Sequence, residues 1–340
     1  FSGGEFSTVS DARGNFRFDN VPAGNHILRQ VAQAPWITTV PVSGSYDVEM
    51  TSGGTAFERL FGNFLDEIAP TATSIALMSA SPTNAATVSW AVEFSEPVTG
   101  LSLANFALEE AGGVSGALLV GLSGSGTSYV VTANTGSGSG TLGLNLANGT
   151  GVTDQAGNPL AGTPVNGPLY SIDKAAPEIL SFRVLYGAGR SFDLMSGPSR
   201  ILPWQITGVE VVYDEAATAT IDAFERTNGA LGFSAFTGSG TTTLSWTFTS
   251  PVELDRVASR IKAGFVADAL GNATEIDALF DFDVLYGDFD GNGRVTIADA
   301  VKMRNAMLSS YDPFADIDGD GDVDQDDVNK SRSRIGTELP

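Results

Sequence analysis

The chain has 340 residues, with 40 Asp+Glu against 18 Lys+Arg, one His, no Cys and a formal net charge of -22 at pH 7. Such an excess of acid repels phosphate backbones and anionic lipid, so neither nucleic acid nor a membrane surface is an expected partner. The missing cysteines exclude disulfide scaffolds, thiolate nucleophiles, Cys-based zinc and iron-sulfur clusters, and a single histidine leaves no His pair. No apolar run approaches the roughly 20 residues of a membrane helix, so no membrane insertion is expected within this sequence. Phe1 is not an initiator residue, which reads as a chain that starts inside a longer protein. Forty glycines and a charged fraction of only 17% suit short strands and tight turns, so a mainly β chain is expected.

Residues 5–50 read as short strands: Phe16 and Phe18 on one face, a turn at 20–24, then 27–31, then Tyr46, Val48 and Met50. His26, beside Asn25 at a strand entry, reads as a surface or turn histidine, because no nucleophile pattern accompanies it. The run TVSDARGNFRFDNVPAGNHILRQVAQAPWITTVP, closing on Phe61-Gly62-Asn63-Phe64, resembles the C-terminal part of a Cna B-type (SdrD B-like) surface module, a prealbumin-like β-sandwich. Some of these modules form a Lys-to-Asn isopeptide crosslink, but residues 1–68 contain no lysine. A partial module over 1–64 and a linker over 65–71 are the expected bounds.

Period-2 alternation dominates residues 72–285. Val88, Trp90, Val92 and Phe94 fall on one strand face, as do Leu142, Leu144 and Leu146, and later Leu244, Trp246 and Phe248. Gly/Ser-rich breakers at 121–127, 135–140 and 238–240 read as the turns between such strands. Trp36, Trp90, Trp204 and Trp246 could stack sugars, but three of the four lie in apolar runs and read as core. A weak repeat relates Ala69-Pro70 to Ala176-Pro177 and Asp154-Gln155-Ala156-Gly157-Asn158 to Asp268-Ala269-Leu270-Gly271-Asn272. The offset is about one immunoglobulin-sized sandwich, so two tandem copies are expected, over 72–172 and 173–285. VEFSEPVTGLSLANFAL with VTDQAGNPL resembles the bacterial Ig-like repeats of large secreted and surface proteins; in the second copy the Phe-Ser-Glu-Pro signature is replaced by Val212-Tyr213-Asp214-Glu215. Glu96, Asp154, Asp173 and Asp268 could line an inter-domain calcium site, but the simpler expectation is that Asp154 and Asp268 brace their Gly-Asn turns through side-chain-to-backbone bonds.

The last 55 residues change character. DFDGNGRVTIAD, starting at Asp288, places oxygen-bearing side chains at loop positions 1, 3, 5, 9 and 12 and glycine at 6. The frame recurs 28 residues on as DIDGDGDVDQDD, starting at Asp316. Calcium takes six to eight oxygen ligands, and glycine at position 6 permits the sharp turn that wraps them. Helical spacing appears only after each loop, with Ile297, Val301, Met307 and Leu308 as an apolar stripe after the first and Val328 and Ile335 after the second. Residues 280–286 read as a strand, so the entering helix of an EF-hand is missing.

This duplicated loop-then-helix half-hand, with Asp at position 12, resembles the type I dockerin domain, over 286–340. The resemblance implies two Ca2+ ions. Asp288, Asp290, Asn292 and Asp299 would ligate the first by side chain, with the Arg294 carbonyl and a water-mediated Thr296 contact. Asp316, Asp318, Asp320, Asp327 and Asp324 would serve the second, with the Asp322 carbonyl. More carboxylates in the second loop imply the tighter site there. It also implies a cohesin-facing surface at Ile297, Ala298, Arg304 and Asn305 in the first repeat and Gln325, Asp326, Arg332 and Ser333 in the second. Type I dockerins of cellulosomes commonly carry Ser-Thr at loop positions 10 and 11, and this chain does not.

The expectation is therefore a secreted or cell-surface bacterial protein region of tandem β-sandwiches, comprising a prealbumin-like fragment, two Ig-like domains and a small helical dockerin. It would be non-enzymatic, the dockerin attaching to a cohesin-like partner when calcium is bound. Two alternatives stand beside it: a calcium-stabilised structural or adhesive stalk without a cohesin partner, and the accessory region of a polysaccharide hydrolase whose catalytic domain lies upstream.

Overall fold

The computed structural model describes residues 5–31 and 33–340, which divide into two compact units, Phe1–Ile172 and Asp173–Pro340. No helix among the described residues is long and apolar enough to cross a membrane.

The first unit opens with four short strands, β1 (Gly24–Arg29), β2 (Trp36–Val40), β3 (Ser45–Met50) and β4 (Gly62–Leu65). β1 pairs antiparallel with β3, and β2 with β4. Phe16 and Phe18, expected in a strand, lie outside one; their rings contact each other, and Phe16 contacts Phe61, so side-chain packing rather than a strand ladder joins them to this end. This end buries little, since among its described residues only Val48 is a buried apolar one and Trp36 stays exposed.

Six further strands come next: β5 (Ala72–Leu77), β6 (Thr87–Val98), β7 (Phe106–Gly112), β8 (Leu118–Asn134), β9 (Gly140–Leu146) and β10 (Val165–Ile172). They form two three-stranded antiparallel sheets, ordered β5-β6-β8 and β10-β9-β7, the two-sheet division of an immunoglobulin-like sandwich. The alternation read from the sequence faces the core as expected: Val88, Trp90, Val92 and Phe94 from one sheet meet Leu142, Leu144 and Leu146 from the other. Trp90 also donates its indole N–H to the Pro168 carbonyl, which lets the ring bury completely. The expected turn at 121–127 is a correction. β8 runs straight through it, because Gly124 (φ +104°) and Gly126 (φ +70°) let the backbone kink without ending, and the register against β6 shifts there.

The second unit repeats the plan with β11 (Ile179–Tyr186), β12 (Arg190–Asp193), β13 (Ile206–Ala219), β14 (Phe224–Arg226), β15 (Phe233–Thr237), β16 (Thr241–Val252), β17 (Leu254–Ile261), β18 (Val266–Ala267) and β19 (Ala278–Leu285). One sheet is ordered β12-β11-β13-β16-β15 and the other β14-β17-β19. β19 covers most of the strand expected before the first aspartate loop. Two short helices come after the loops, α1 (Ile297–Ala306) and α2 (Gln325–Ser333).

Both helices begin at a capped position. Thr296 accepts from the Ala298 N–H and Asp324 from the Asp326 N–H, and the residues three further on, Asp299 and Asp327, reach back to complete a capping box. The face α1 buries is not the one expected. Ala300 and Met303 are buried and Met307 half-buried, whereas Ile297, Val301 and Leu308 point to solvent. Spacing fixed the helix but not its rotation, which is set by the surface it packs against. Ala300, Met303, Ala315, Ile317 and Val328 join Tyr186, Leu202, Trp204, Val209 and Val284 in a single hydrophobic core, continuous across residues 285 and 286.

Candidate functional site

The two aspartate loops fold alike. In the first, Asp288 accepts from the Gly291 and Asn292 N–H groups through Oδ1 and from Gly293 through Oδ2, at 2.9, 3.2 and 2.8 Å. In the second, Asp316 accepts from Asp320 and Gly321, both at 3.1 Å. The position-12 carboxylates close each loop from the helix side. Asp299 accepts from Asp290 and Thr296, and Asp327 from Ile317 and Asp324. The loop-turning glycines Gly291, Gly293, Gly319 and Gly321 all have positive φ, which lets the backbone wrap around the leading carboxylate.

The result is a concentration of buried acid. Asp288, Asp299 and Asp316 are fully buried and Asp327 is 1% exposed. Asp288, Asp290 and Asp299 bring carboxylate oxygens within 4.8 Å of one another. Asp316, Asp318 and Asp320 do the same, while Asp327 gathers with Asp322 and Asp324. Burial raises the Asp288 carboxyl above its ordinary range, and burial pushes Asp327 up to about 6, Asp316 and Asp324 adding repulsion. The charge of Asp320 raises Asp322. Burial also pulls Asp290 upward, but the Lys302 ammonium, 2.6 Å away, together with hydrogen bonds from the Asn292 N–H and Asp288, holds it below its ordinary range. Lys330 stands equivalently on Asp318.

Buried carboxylates in pairs and triplets are costly unless a cation joins them. An all-oxygen donor set with the side chains of Asn292 and Thr296 at hand suits a hard divalent cation, and Asp288, Asp290 and Asp299 with Asp316, Asp318, Asp320 and Asp327 are the carboxylates that would hold two. Thr296 and Asp324, at loop position 9, also serve as helix caps, a role not read from the sequence.

Ile297, Ala298, Arg304, Asn305, Gln325, Asp326, Arg332 and Ser333, the expected partner-facing residues, are all exposed. The two helix faces differ, however. The α1 face adds exposed Val301, and Leu308 just beyond the helix, to Ile297, whereas the exposed residues of α2 itself are polar and Ile335, just beyond it, is the exposed apolar one.

The braced turns are present in both sandwiches. Asp154 accepts from the Asn158 backbone and side-chain N–H groups, both at 2.8 Å, and Asp268 from those of Asn272 at 2.8 and 2.7 Å. Each asparagine also donates to a carbonyl in the segment leading into its sandwich, Asn158 to Asp66 and Asn272 to Asp173. Around each turn three carboxylates converge within 4.8 Å: Asp66, Glu96 and Asp154 in one unit, Asp173, Glu215 and Asp268 in the other. Asp66 and Glu215 were not legible as members. Asp66 precedes the repeat, and Glu215 sits in the copy that lacks the Phe-Ser-Glu-Pro signature.

No protein-family model matches the chain, and no curated protein matches it. Among solved structures it is similar to FdeC, an Escherichia coli adhesin, at 12% identity over 81% of this chain and 89% of that one, with a TM-score of 0.34. It is similar to invasin, a bacterial integrin-binding protein, at 12% identity over 81% and 54% with a TM-score of 0.30. A C-terminal fragment of intimin, solved with the intimin-binding domain of its translocated receptor, matches at 13% identity over 69% and 72% with a TM-score of 0.24.

Proposed function

We propose that this chain is a non-enzymatic, extracellular spacer-and-attachment region in which residues 286–340 form a dockerin-like module that takes two Ca2+ ions. The sandwiches act as spacers, and the module attaches to a cohesin-like protein through Ile297, Ala298, Arg304 and Asn305 or through Gln325, Asp326, Arg332 and Ser333. The observation that carries the reading is the repeat in space of one loop design: two loops 28 residues apart, each curled on a leading aspartate and closed by a buried aspartate at position 12. Calorimetric titration should give two calcium ions per chain. Pull-down from the secretome of the source cell should recover a cohesin-like partner in calcium and lose it in chelator.

A second reading is favoured by the core that runs from the sandwich into the loop-helix segment. Under it the calcium loops brace the sandwich of a surface stalk and no cohesin is engaged. Two calcium ions with no calcium-dependent partner would select this second reading.

A further inference from the structure

The loop-helix segment and the second sandwich touch at both loops, and the sandwich side of each contact is a built one. At the second loop, Gly187 lies against Gly319; a Cβ on Gly187 would stand 2.5 Å from the Gly319 Cα, and a Cβ on Gly319 would stand 2.7 Å from the Gly187 Cα. The adjoining Ala188 N–H donates to the Gly319 carbonyl. Arg190, from β12, reaches the buried Asp316 carboxylate at 3.4 Å and lies beside Gly321. At the first loop, Arg200 donates to the Phe289 carbonyl and stacks its guanidinium 3.9 Å from the Phe314 ring centre. Between the two, Trp204 is stacked against Tyr186 at 4.0 Å and Phe314 at 5.0 Å, and its indole N–H is shared by the carbonyls of Pro313 and Asp316.

We infer that the second sandwich supplies Gly187, Arg190, Arg200 and Trp204 as positioning residues for both aspartate loops, so that calcium occupancy of the loops and folding of that sandwich are one equilibrium. The inference rests on the proposed calcium sites and deepens them. The physical reason is that a loop's oxygens can be gathered only where its backbone is held. Here the backbone at position 2 of the first loop and at positions 1 and 4 of the second is held by groups from the sandwich. The segment contributes Tyr286, Ala300, Met303, Ala315, Ile317 and Val328 to the shared core, with Phe289, Met307, Phe314 and Val323 half-buried against it, so its apolar side chains close a core only together with those of the sandwich. A ligand that binds only the folded state then stabilises everything that folds with it. Calcium would thus set the stiffness of the whole second sandwich and leave the first untouched.

The test uses the full chain. Differential scanning calorimetry and amide hydrogen exchange are run in calcium and in chelator, with calcium binding measured in parallel by titration calorimetry. At about a hundredfold excess over each Kd, the two calcium ions together should raise the transition of the second unit by roughly 10–20 °C. It should also slow exchange in β11 and β13, with no change in β6 or β9. Gly187→Val should weaken the second site, and Arg200→Gln the first, each by roughly tenfold. Arg200→Gln removes only a partly exposed head group, so it keeps the test open if the glycine variant does not fold. Calcium that binds but alters exchange only within 286–340 would overturn the inference and leave the calcium sites standing. Absence of calcium binding would overturn both. Unchanged affinities in both variants would also overturn it.

Discussion

Replacing Trp204 with alanine removes a fully buried indole that two rings sandwich and two carbonyls share. Truncating a buried large aromatic to alanine costs about 3–5 kcal/mol, and the two carbonyls left without their shared donor add about 1 kcal/mol. In a unit of this size 1 kcal/mol moves the melting point by about 2–4 °C, so Trp204→Ala should lower the transition of the second unit by about 10–20 °C. Trp204→Phe keeps an aromatic ring in the stack and loses the N–H, and should cost about 1–2 kcal/mol. The assay is calorimetric melting of the full chain in calcium, with the first unit as the internal reference. A Trp204→Ala shift of about 3 °C or less would refute the reasoning, and so would an equal shift of both transitions, because the side chain packs within the core of the second unit.

Further outcomes rest on the same geometry. Asp288→Ala and Asp316→Ala should each reduce the calorimetric stoichiometry from two calcium ions to one, with Asp316→Ala abolishing the tighter phase, since the second loop carries more carboxylate. Loss of the tighter phase in Asp288→Ala instead would reverse that assignment. Burial, with the charges of Asp154 and Asp66 behind it, raises the Glu96 carboxyl above its ordinary range. A folded carboxyl raised in this way binds more protons than the unfolded one, so stability is full below the unfolded range near pH 4 and falls as pH rises. Glu96→Gln should therefore stabilise the first unit at pH 7 in chelator and leave it unchanged at pH 4, as urea unfolding at the two pH values would show. Tyr213 is 1% exposed and its hydroxyl has no hydrogen-bond partner, while the equivalent position in the first sandwich is Phe94. Tyr213→Phe should be neutral or stabilising by about 1 kcal/mol; a loss of that size in urea unfolding would reveal a partner for the hydroxyl.

Much of the plan was legible because it rests on local rules. Strand alternation placed Val88, Trp90, Val92 and Phe94, and Leu244, Trp246 and Phe248, on core-facing sides, and period two leaves only one choice once a face is buried. The Asp-x-Asp-x-Asn/Asp-Gly spacing located both loops, because the turn and its glycine are encoded within a dozen residues. The same rules misread 121–127, where glycines serve as kinks within one strand rather than as its end.

What tertiary structure alone decided lies at long range. The rotation of α1, which hides Ala300 and Met303 and exposes Ile297 and Val301, depends on the sandwich surface beneath it rather than on its own spacing. The convergence of Asp66 with Glu96 and Asp154, and of Asp173 with Glu215 and Asp268, joins residues scattered over nearly a hundred positions in each unit. The partners of Trp204 are of the same kind. The sequence by itself marked three of the four tryptophans as core, because they sit in apolar runs; only the fold decided that Trp204 is one of them and that Phe314 and the carbonyls of Pro313 and Asp316 would close over it. Alternation and turn chemistry act over a few residues and can be read along the chain. Which surfaces meet is settled by the joint burial of residues far apart in it, and that is where an acidic terminal segment became part of a β-sandwich's core.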